Sequence, residues 1–92
     1  MALEILDYYA DWCGPCQMMK PVFAELEKEF AGKVTFKEIN VDNDPNTSTQ
    51  YHVLSIPTYI FLKDGKEVDR LIGYTPKPAF STKLNAHLNS SS

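Results

Sequence analysis

Residues 3–10 predict a β-strand with apolar side chains on both faces. This pattern restricts the folds that the chain can adopt. Leu3 and Ile5 fall on one face, and Leu6 and Tyr8 fall on the other. Such a strand is typical of a sheet that is covered on both sides. A helical pattern and a second strand pattern follow, and together they predict two parallel strands joined by a right-handed crossover.

A long helix is predicted between these two strands. It begins near Pro15, because proline suits the first turn of a helix, and Gly32 predicts its end. Pro21 lies inside the helical run and predicts a kink there. The apolar residues of the run recur on one side and predict the buried face of the helix: Met19, Val22, Phe23, Leu26 and Phe30.

After the long helix, the chain predicts three strands, the first of them the second strand named above, and two helices. The strands cover residues 34–41, 58–62 and 67–72, and a hairpin signal, Asp-Gly, separates the last two. The helices follow Asp44-Pro45 and Thr75-Pro76, where proline suits the first helical position. The order βαβαββα predicts an α/β fold with a four-stranded mixed sheet flanked by helices.

Length and charge restrict the classes of protein to which the chain can belong. Its 92 residues allow a single domain, predicted over residues 1–89, with a polar, disordered tail over residues 90–92. The net charge of −3 argues against nucleic acid as a partner. A membrane span needs about 20 apolar residues, a run that is not found here. The first residues resemble neither a secretory signal nor a transit peptide, so a cytoplasmic protein is expected.

Two cysteines lie where the first strand meets the long helix, in the run Trp12-Cys13-Gly14-Pro15-Cys16. A disulfide between them would close a very short loop and stabilise the fold little. Unpaired N–H groups at a helix N-terminus favour an anion, so the pKa of Cys13 is expected to be lowered and Cys13 to act as the nucleophile. Cys16, one turn further and deeper, suits the resolving role in thiol–disulfide exchange.

Two other interpretations of the cysteine pair are weaker. A structural zinc site needs four ligands, and only His52 and His87 could join the cysteines as further Cys or His ligands, so no metal is expected. Both histidines are expected at the surface. The second interpretation is a pair of ordinary buried thiols, which Gly-Pro between the cysteines at a helix start disfavours.

The run Trp12–Cys16 resembles the active site of the thioredoxin family, and the resemblance extends over most of the chain. Asp7 stands where that family has a buried aspartate. Ile56-Pro57-Thr58 resembles its cis-proline segment, and Gly73 stands at a glycine of its substrate groove. Pro21 matches the kink in its long helix. The resemblance implies a thioredoxin-like fold.

The resemblance also implies roles for single residues. Asp7 would be the general base that deprotonates Cys16 through water, with a pKa raised by burial; the alternative is a solvent-exposed aspartate at a strand end. Pro57 would be cis and the backbone of Ile56 would pair with an extended substrate peptide; the alternative is a proline that merely opens a strand. The expected substrate-facing residues are Trp12, Gly14, Pro15, Ile56, Pro57 and Gly73.

The sequence departs from the family in two places. The family has a strand and a helix before the segment that begins at Leu3, so a fold truncated at the N-terminus is expected, with residues 34–41 as an exposed edge. Glu38 stands where many bacterial members have lysine. If Glu38 approaches Asp7, repulsion would raise the pKa of Asp7 further, and if Glu38 points outward it would have no such effect.

For function, the resemblance implies a protein-disulfide reductase that cycles between a dithiol and a Cys13–Cys16 disulfide, with no other cofactor. The expected partners are disulfide-containing substrate proteins and a thioredoxin reductase as electron donor, and a monomer is expected. Gly-Pro between the cysteines is similar to the reducing members, and a disulfide oxidase or isomerase is an alternative. The other alternative is a non-catalytic binding module, which would have no need of two thiols.

Overall fold

The computed structural model describes residues 2–89, and the tail predicted over residues 90–92 lies outside them. In chain order the elements are β1 (Leu3–Tyr9), α1 (Gly14–Glu29), β2 (Val34–Asn40), α2 (Pro45–Gln50), β3 (Thr58–Lys63), β4 (Lys66–Ile72) and α3 (Lys77–Asn89). The predicted order βαβαββα is confirmed, with small differences at the ends of the elements. Within the described residues, no helix is long and apolar enough to cross a membrane.

The strands form one mixed sheet in the order β2-β1-β3-β4. β1 pairs with β2 in parallel and with β3 antiparallel, and β3 and β4 form an antiparallel hairpin. Asp64 and Gly65 turn this hairpin with φ angles of 53° and 82°, the left-handed conformation that an Asp-Gly hairpin signal predicts. β2 lies at one edge of the sheet, as predicted for residues 34–41.

Two apolar layers cover the two faces of the sheet, as the alternation within β1 predicts. Leu3 and Ile5 pack in the larger layer, against α1 and α3, while Leu6 and Tyr8 pack in the smaller layer on the other face. Burial of these side chains supplies the main driving force for folding. The larger layer contains the predicted face of α1, and its buried members are Leu3, Ile5, Met19, Phe23, Leu26, Phe30, Val34, Tyr59, Phe61, Phe80 and Leu84.

The helix α1 begins next to the cysteines and ends in this core. It continues past Pro21 and ends at Glu29, with the buried Phe30 as its C-cap. Gly32 lies in the turn that leads to β2 and has a φ angle of 80°. The end of α1 that bears Phe30 is therefore anchored in the core, and this anchoring fixes the position of the other end, where the cysteines lie.

Polar contacts fasten α3 to the hairpin of β3 and β4. His87 Nε2 lies 3.0 Å from Asp69 Oδ2, and Lys83 Nζ lies 2.8 Å from the same oxygen. Lys63 Nζ donates a 2.7 Å hydrogen bond to the carbonyl oxygen of His87. The expectation of two surface histidines is therefore wrong for His87, which is half-buried because α3 packs beside β4, whereas His52 is exposed.

Candidate active site

The two cysteines lie at the start of α1 and are joined by a disulfide bond. Cys13 is the N-cap of the helix, and its Sγ accepts a 3.2 Å hydrogen bond from the main-chain N–H of Cys16. An N-cap side chain satisfies one of the unpaired N–H groups of the first turn, and here a sulfur atom takes that role. The same N–H group and the helix dipole favour negative charge on the sulfur of Cys13.

The two sulfurs have different surroundings, although their burial is similar. The side chains are 5% exposed for Cys13 and 4% for Cys16, so exposure does not bear out the deeper position expected for Cys16. The Sγ of Cys13 lies 3.8 Å from the carbonyl oxygen of Ile56. Cys16 instead lines a cleft that it shares with Asp7. Each sulfur therefore faces a different group.

The peptide bond between Ile56 and Pro57 is cis, as the resemblance implies. Pro57 is buried directly before β3, and Ile56 packs against the small apolar cluster that contains both cysteines. The carbonyl oxygen of Pro57 accepts a 2.7 Å hydrogen bond from the N–H of Gly73. This bond joins the proline loop, which contacts the cysteine pair through Ile56, to the end of β4.

Gly73 adopts a backbone conformation that side chains disfavour, with a φ angle of 86°. A Cβ atom at this position would meet no atom within 4 Å. The requirement for glycine is therefore conformational and not steric. The side of Gly73 on which a Cβ would stand is open, while its N–H and carbonyl groups bond to Pro57 and to the hydroxyl of Thr75.

Asp7 is a buried acid in the middle of the sheet. Its side chain is only 6% exposed, and its Oδ1 has no hydrogen-bond partner among residues 2–89. Burial, followed by the negative charges of Glu38 and Glu27, raises the pKa of Asp7 from 3.8 to about 7. The alternative of a solvent-exposed aspartate is therefore wrong. Asp7 instead changes its protonation state near neutral pH, which suits a general base.

A cleft of about 260 Å³ runs beside this carboxyl group. Asp7 and Cys16 both line it, so the acid and the sulfur border one space through which a proton can pass. Glu38 is the register partner of Asp7 on β2 and lines the same cleft. Of the two orientations left open for Glu38, the structure shows the one towards Asp7. The other lining residues are Tyr9, Lys20, Phe23, Ala24 and Glu27.

Trp12 stands at the surface next to the cysteines, with 71% of its side chain exposed. Its Nε1 donates a 2.9 Å hydrogen bond to Oδ2 of Asp42, a residue that no sequence motif indicates. Trp12 follows β1 and Asp42 follows β2, and residues that follow two parallel strands lie at the same edge of the sheet. This topology is the one signal that could have indicated Asp42 before the structure was known.

Trp12 also lines an apolar groove of about 540 Å³. Ile56 lines it, and so does Leu54, which is 94% exposed. Trp12 and Ile56, two members of the predicted substrate-facing patch, therefore line one groove. Gly14 and Pro15 are also exposed, in the first turn of α1. Among residues 2–89, no group of three or more His, Cys, Asp or Glu side chains is arranged to hold a metal ion.

Comparison with known proteins identifies relatives of this chain. A family model described as Thioredoxin matches residues 2–86. The chain is 44% identical over 84 residues to the chloroplastic M-type thioredoxin of Pisum sativum, in a match that covers 91% of this chain and 49% of that relative. It is 42% identical over 86 residues to a thioredoxin of Staphylococcus aureus, in a match that covers 94% of this chain and 83% of the relative. The chain therefore spans about half the length of the pea protein and most of the bacterial one.

Proposed function

The chain belongs to the thioredoxin family and carries the cysteine pair of a thiol–disulfide oxidoreductase, and from this premise we propose that it reduces disulfide bonds in other proteins. The proposal is carried by one observation: the Sγ of Cys13 caps α1 and accepts a hydrogen bond from the N–H of Cys16. A donor in this position stabilises a thiolate once the disulfide is opened.

The first chemical step is an attack by Cys13. Its thiolate attacks one sulfur of the substrate disulfide, a mixed disulfide forms, and the second substrate sulfur leaves as a thiolate that takes a proton from water. The carbonyl oxygen of Ile56 lies 3.8 Å from this sulfur and is proposed to accept a hydrogen bond from the main chain of an extended substrate. The N–H and carbonyl groups of a peptide are common to all sequences, which favours a broad range of substrates.

The second step releases the product. Asp7, in its ionised form, takes the proton of the Cys16 thiol across the shared cleft. The Cys16 thiolate then attacks the sulfur of Cys13, so that the Cys13–Cys16 disulfide forms and the remaining substrate sulfur leaves as a thiolate that takes up a proton. Over both steps the cysteine pair loses two electrons and the substrate disulfide gains them, while the proton of Cys16 passes to Asp7 and the two substrate thiolates take up protons from water and from Asp7.

The enzyme must then be reduced again, and we propose a thioredoxin reductase as the donor of these electrons. A reducing compartment such as the cytoplasm suits this direction of transfer, because the disulfide is returned to the dithiol after each cycle. The proposed active form is a monomer. The predicted substrate-facing residues, from Trp12 to Gly73, are proposed to contact substrate and reductase in turn.

Reduction of insulin by dithiothreitol tests the activity. The wild-type protein is expected to accelerate the appearance of turbidity, and Cys13→Ser is expected to behave like buffer. A wild-type rate equal to that of buffer would leave a non-catalytic binding module as the better interpretation. The reduction potential of the cysteine pair, measured against glutathione, then tests the direction: a potential above that of glutathione would support an oxidase or isomerase instead.

A second experiment tests the two cysteine roles. Cys16→Ser is expected to trap a mixed disulfide between Cys13 and insulin, which mass spectrometry under non-reducing conditions would detect. Cys13→Ser is the matched control and is expected to trap nothing. Trapping by Cys13→Ser, with none by Cys16→Ser, would reverse the assignment of nucleophile and resolving residue.

A further inference from the structure

Three carboxyl groups border the cleft beside Cys16, and they come from three different elements. Asp7 belongs to β1, Glu38 to β2 and Glu27 to α1. Asp7 is buried, while Glu38 and Glu27 are exposed at the outer side of the cleft. This arrangement concentrates negative charge around a carboxyl group whose Oδ1 lacks a hydrogen-bond partner within residues 2–89.

The position of Glu38 relative to Asp7 is set by the sheet itself. The two residues are partners in the parallel pairing of β1 and β2, so their side chains leave the sheet on the same face. The neighbouring Lys37 lies on the opposite face, where its Nζ lies 2.9 Å from Oε2 of Glu4. The cation nearest to Glu38 along the strand is thus directed away from the cleft and engaged with another acid.

The remaining groups that face Asp7 do not neutralise this charge. From β3, Tyr59 is the register partner of Asp7, and burial is the main reason that the pKa of its hydroxyl is raised. From α1, Lys20 lines the cleft, but no ion pair joins it to any acid in the part of the chain described here. Burial and the charge of Glu38 also raise the pKa of Glu27.

We propose that Glu38 is a positioning residue that acts on the exchange reaction through Asp7: its charge sets the pH at which Asp7 gains its proton, and so the pH at which Cys16 is deprotonated. Glu38 touches neither sulfur in this scheme. At low pH a protonated Asp7 cannot accept the proton of the Cys16 thiol, and the mixed disulfide is resolved slowly. An ionised Glu38 moves the onset of fast resolution to higher pH. The inference rests on the proposed function, because it assumes that Asp7 is the base.

The first test follows the protonation of Asp7 without any catalysis. The carboxyl carbon of Asp7 is titrated by NMR in the oxidised protein, for the wild type, Glu38→Gln, Glu38→Lys and the control Asp64→Asn. Asp64→Asn makes the same change of charge in the hairpin turn, where asparagine tolerates the positive φ angle of 53°. We expect the midpoint to fall by about half a pH unit in Glu38→Gln, to fall further in Glu38→Lys, and to stay unchanged in Asp64→Asn.

The second test measures single-turnover reduction of insulin at saturating insulin between pH 5 and 9. Glu38→Gln is expected to move the rate midpoint by the same amount as the NMR midpoint and to raise the rate at pH 6 about 2.5-fold. An unchanged NMR midpoint in both Glu38 variants would overturn the inference, whatever the activity. A lowered NMR midpoint with an unchanged rate midpoint would overturn it too, and would also remove Asp7 from the proposed mechanism. Loss of wild-type insulin reduction would instead remove the proposed function as a whole.

Discussion

The indole Nε1 of Trp12 donates a hydrogen bond to the carboxylate of Asp42, across 30 residues of sequence. The bond holds a largely exposed aromatic ring in one orientation beside the cysteine pair. A ring that is fixed before binding loses less conformational freedom when a substrate docks on it. Asp42 therefore supports the proposed substrate surface without contacting the sulfurs.

Removal of this acceptor tests the role of Asp42. Asp42→Ala is expected to lower kcat/KM for insulin reduction about fivefold, because one exposed hydrogen bond contributes about 1 kcal/mol. Asp42→Asn keeps an oxygen acceptor and is expected to restore most of the activity. The chain has one tryptophan, so fluorescence anisotropy reports on Trp12 alone and is expected to fall in Asp42→Ala. An equal loss of kcat/KM in Asp42→Asn would show that charge, and not ring orientation, is the relevant property.

The free energy of unfolding is expected to depend on the protonation of Asp7. The pKa of Asp7 is about 7 in the folded protein against an ordinary 3.8, so the folded state binds more protons than the unfolded state between these values. Stability contributed by the protonated form is therefore fully present below about pH 4 and falls as the pH rises to about 7.

Asp7→Asn removes this dependence. The variant is expected to be more stable than the wild type above pH 7, by up to about 4 kcal/mol, and to lose the decline in stability between pH 4 and 7. Urea unfolding at a series of pH values measures both effects. Parallel stability curves for the variant and the wild type would contradict the raised pKa. The same variant is expected to reduce insulin more slowly, because its amide cannot accept the proton of Cys16.

The left-handed backbone of Gly73 predicts a loss of both stability and activity on substitution. Gly73→Ala is expected to cost about 1 kcal/mol of folding free energy, because alanine is strained at a φ angle of 86°. Its new methyl group would also stand on the face next to the proline loop and raise KM for insulin. Gly32→Ala is the matched control: it introduces the same kind of strain at a φ angle of 80°, but in the turn before β2. If both variants kept wild-type KM, Gly73 would have no place in the substrate surface.

The polar cluster of Asp69, Lys83 and His87, which joins α3 to β4, predicts a lower free energy of unfolding in acid. Burial opposes ionisation of Asp69, but hydrogen bonds from the side chains of His87 and Lys83 and from the N–H of Arg70 outweigh it and lower the pKa of Asp69. A lowered pKa stabilises the folded state above the unfolded-state value, and this contribution disappears as the pH falls through the folded-state pKa.

Asp69→Asn tests this cluster. The variant is expected to be less stable at pH 7 by about 1 to 2 kcal/mol, since it loses charge-assisted hydrogen bonds from Lys83 and His87. The difference from the wild type is expected to shrink as the pH falls below 4. Thermal unfolding followed by circular dichroism provides the measurement. A difference that is the same at pH 7 and pH 3 would assign the loss to packing and not to charge.

The elements of the fold follow from local patterns, which is why they could be predicted. The apolar residues on both faces of Leu3–Tyr9 predict a strand that is covered on both sides. The helical spacing of apolar residues from Met19 to Phe30 predicts which side of the helix faces the core. The Asp-Gly turn follows from the backbone angles that these residues tolerate. The site around Cys13 and Cys16 could be predicted for a similar reason, because a strand, a Gly-Pro pair and a helix start place both sulfurs within one turn.

Contacts between distant segments could not be predicted in this way. The pairing of Trp12 with Asp42 and that of His87 with Asp69 depend on how strands and helices are set against one another. The approach of Glu38 to Asp7 depends on the register of β1 and β2, and a shift of one residue would have placed it on the other face. The cis bond before Pro57 followed from the family resemblance and not from the physical properties of the segment.

The hydrogen bond from the N–H of Cys16 to the sulfur of Cys13 has a consequence for the speed of the reaction. The N–H of Cys16 points at the sulfur of Cys13 while the disulfide is intact. It is therefore already in position to stabilise the negative charge that forms on this sulfur once the disulfide is opened. We therefore expect the first turn of α1 to keep its conformation when the disulfide opens, since the far end of the helix is fixed in the core at Phe30. Electron exchange therefore demands little reorganisation of the protein around the reacting atoms.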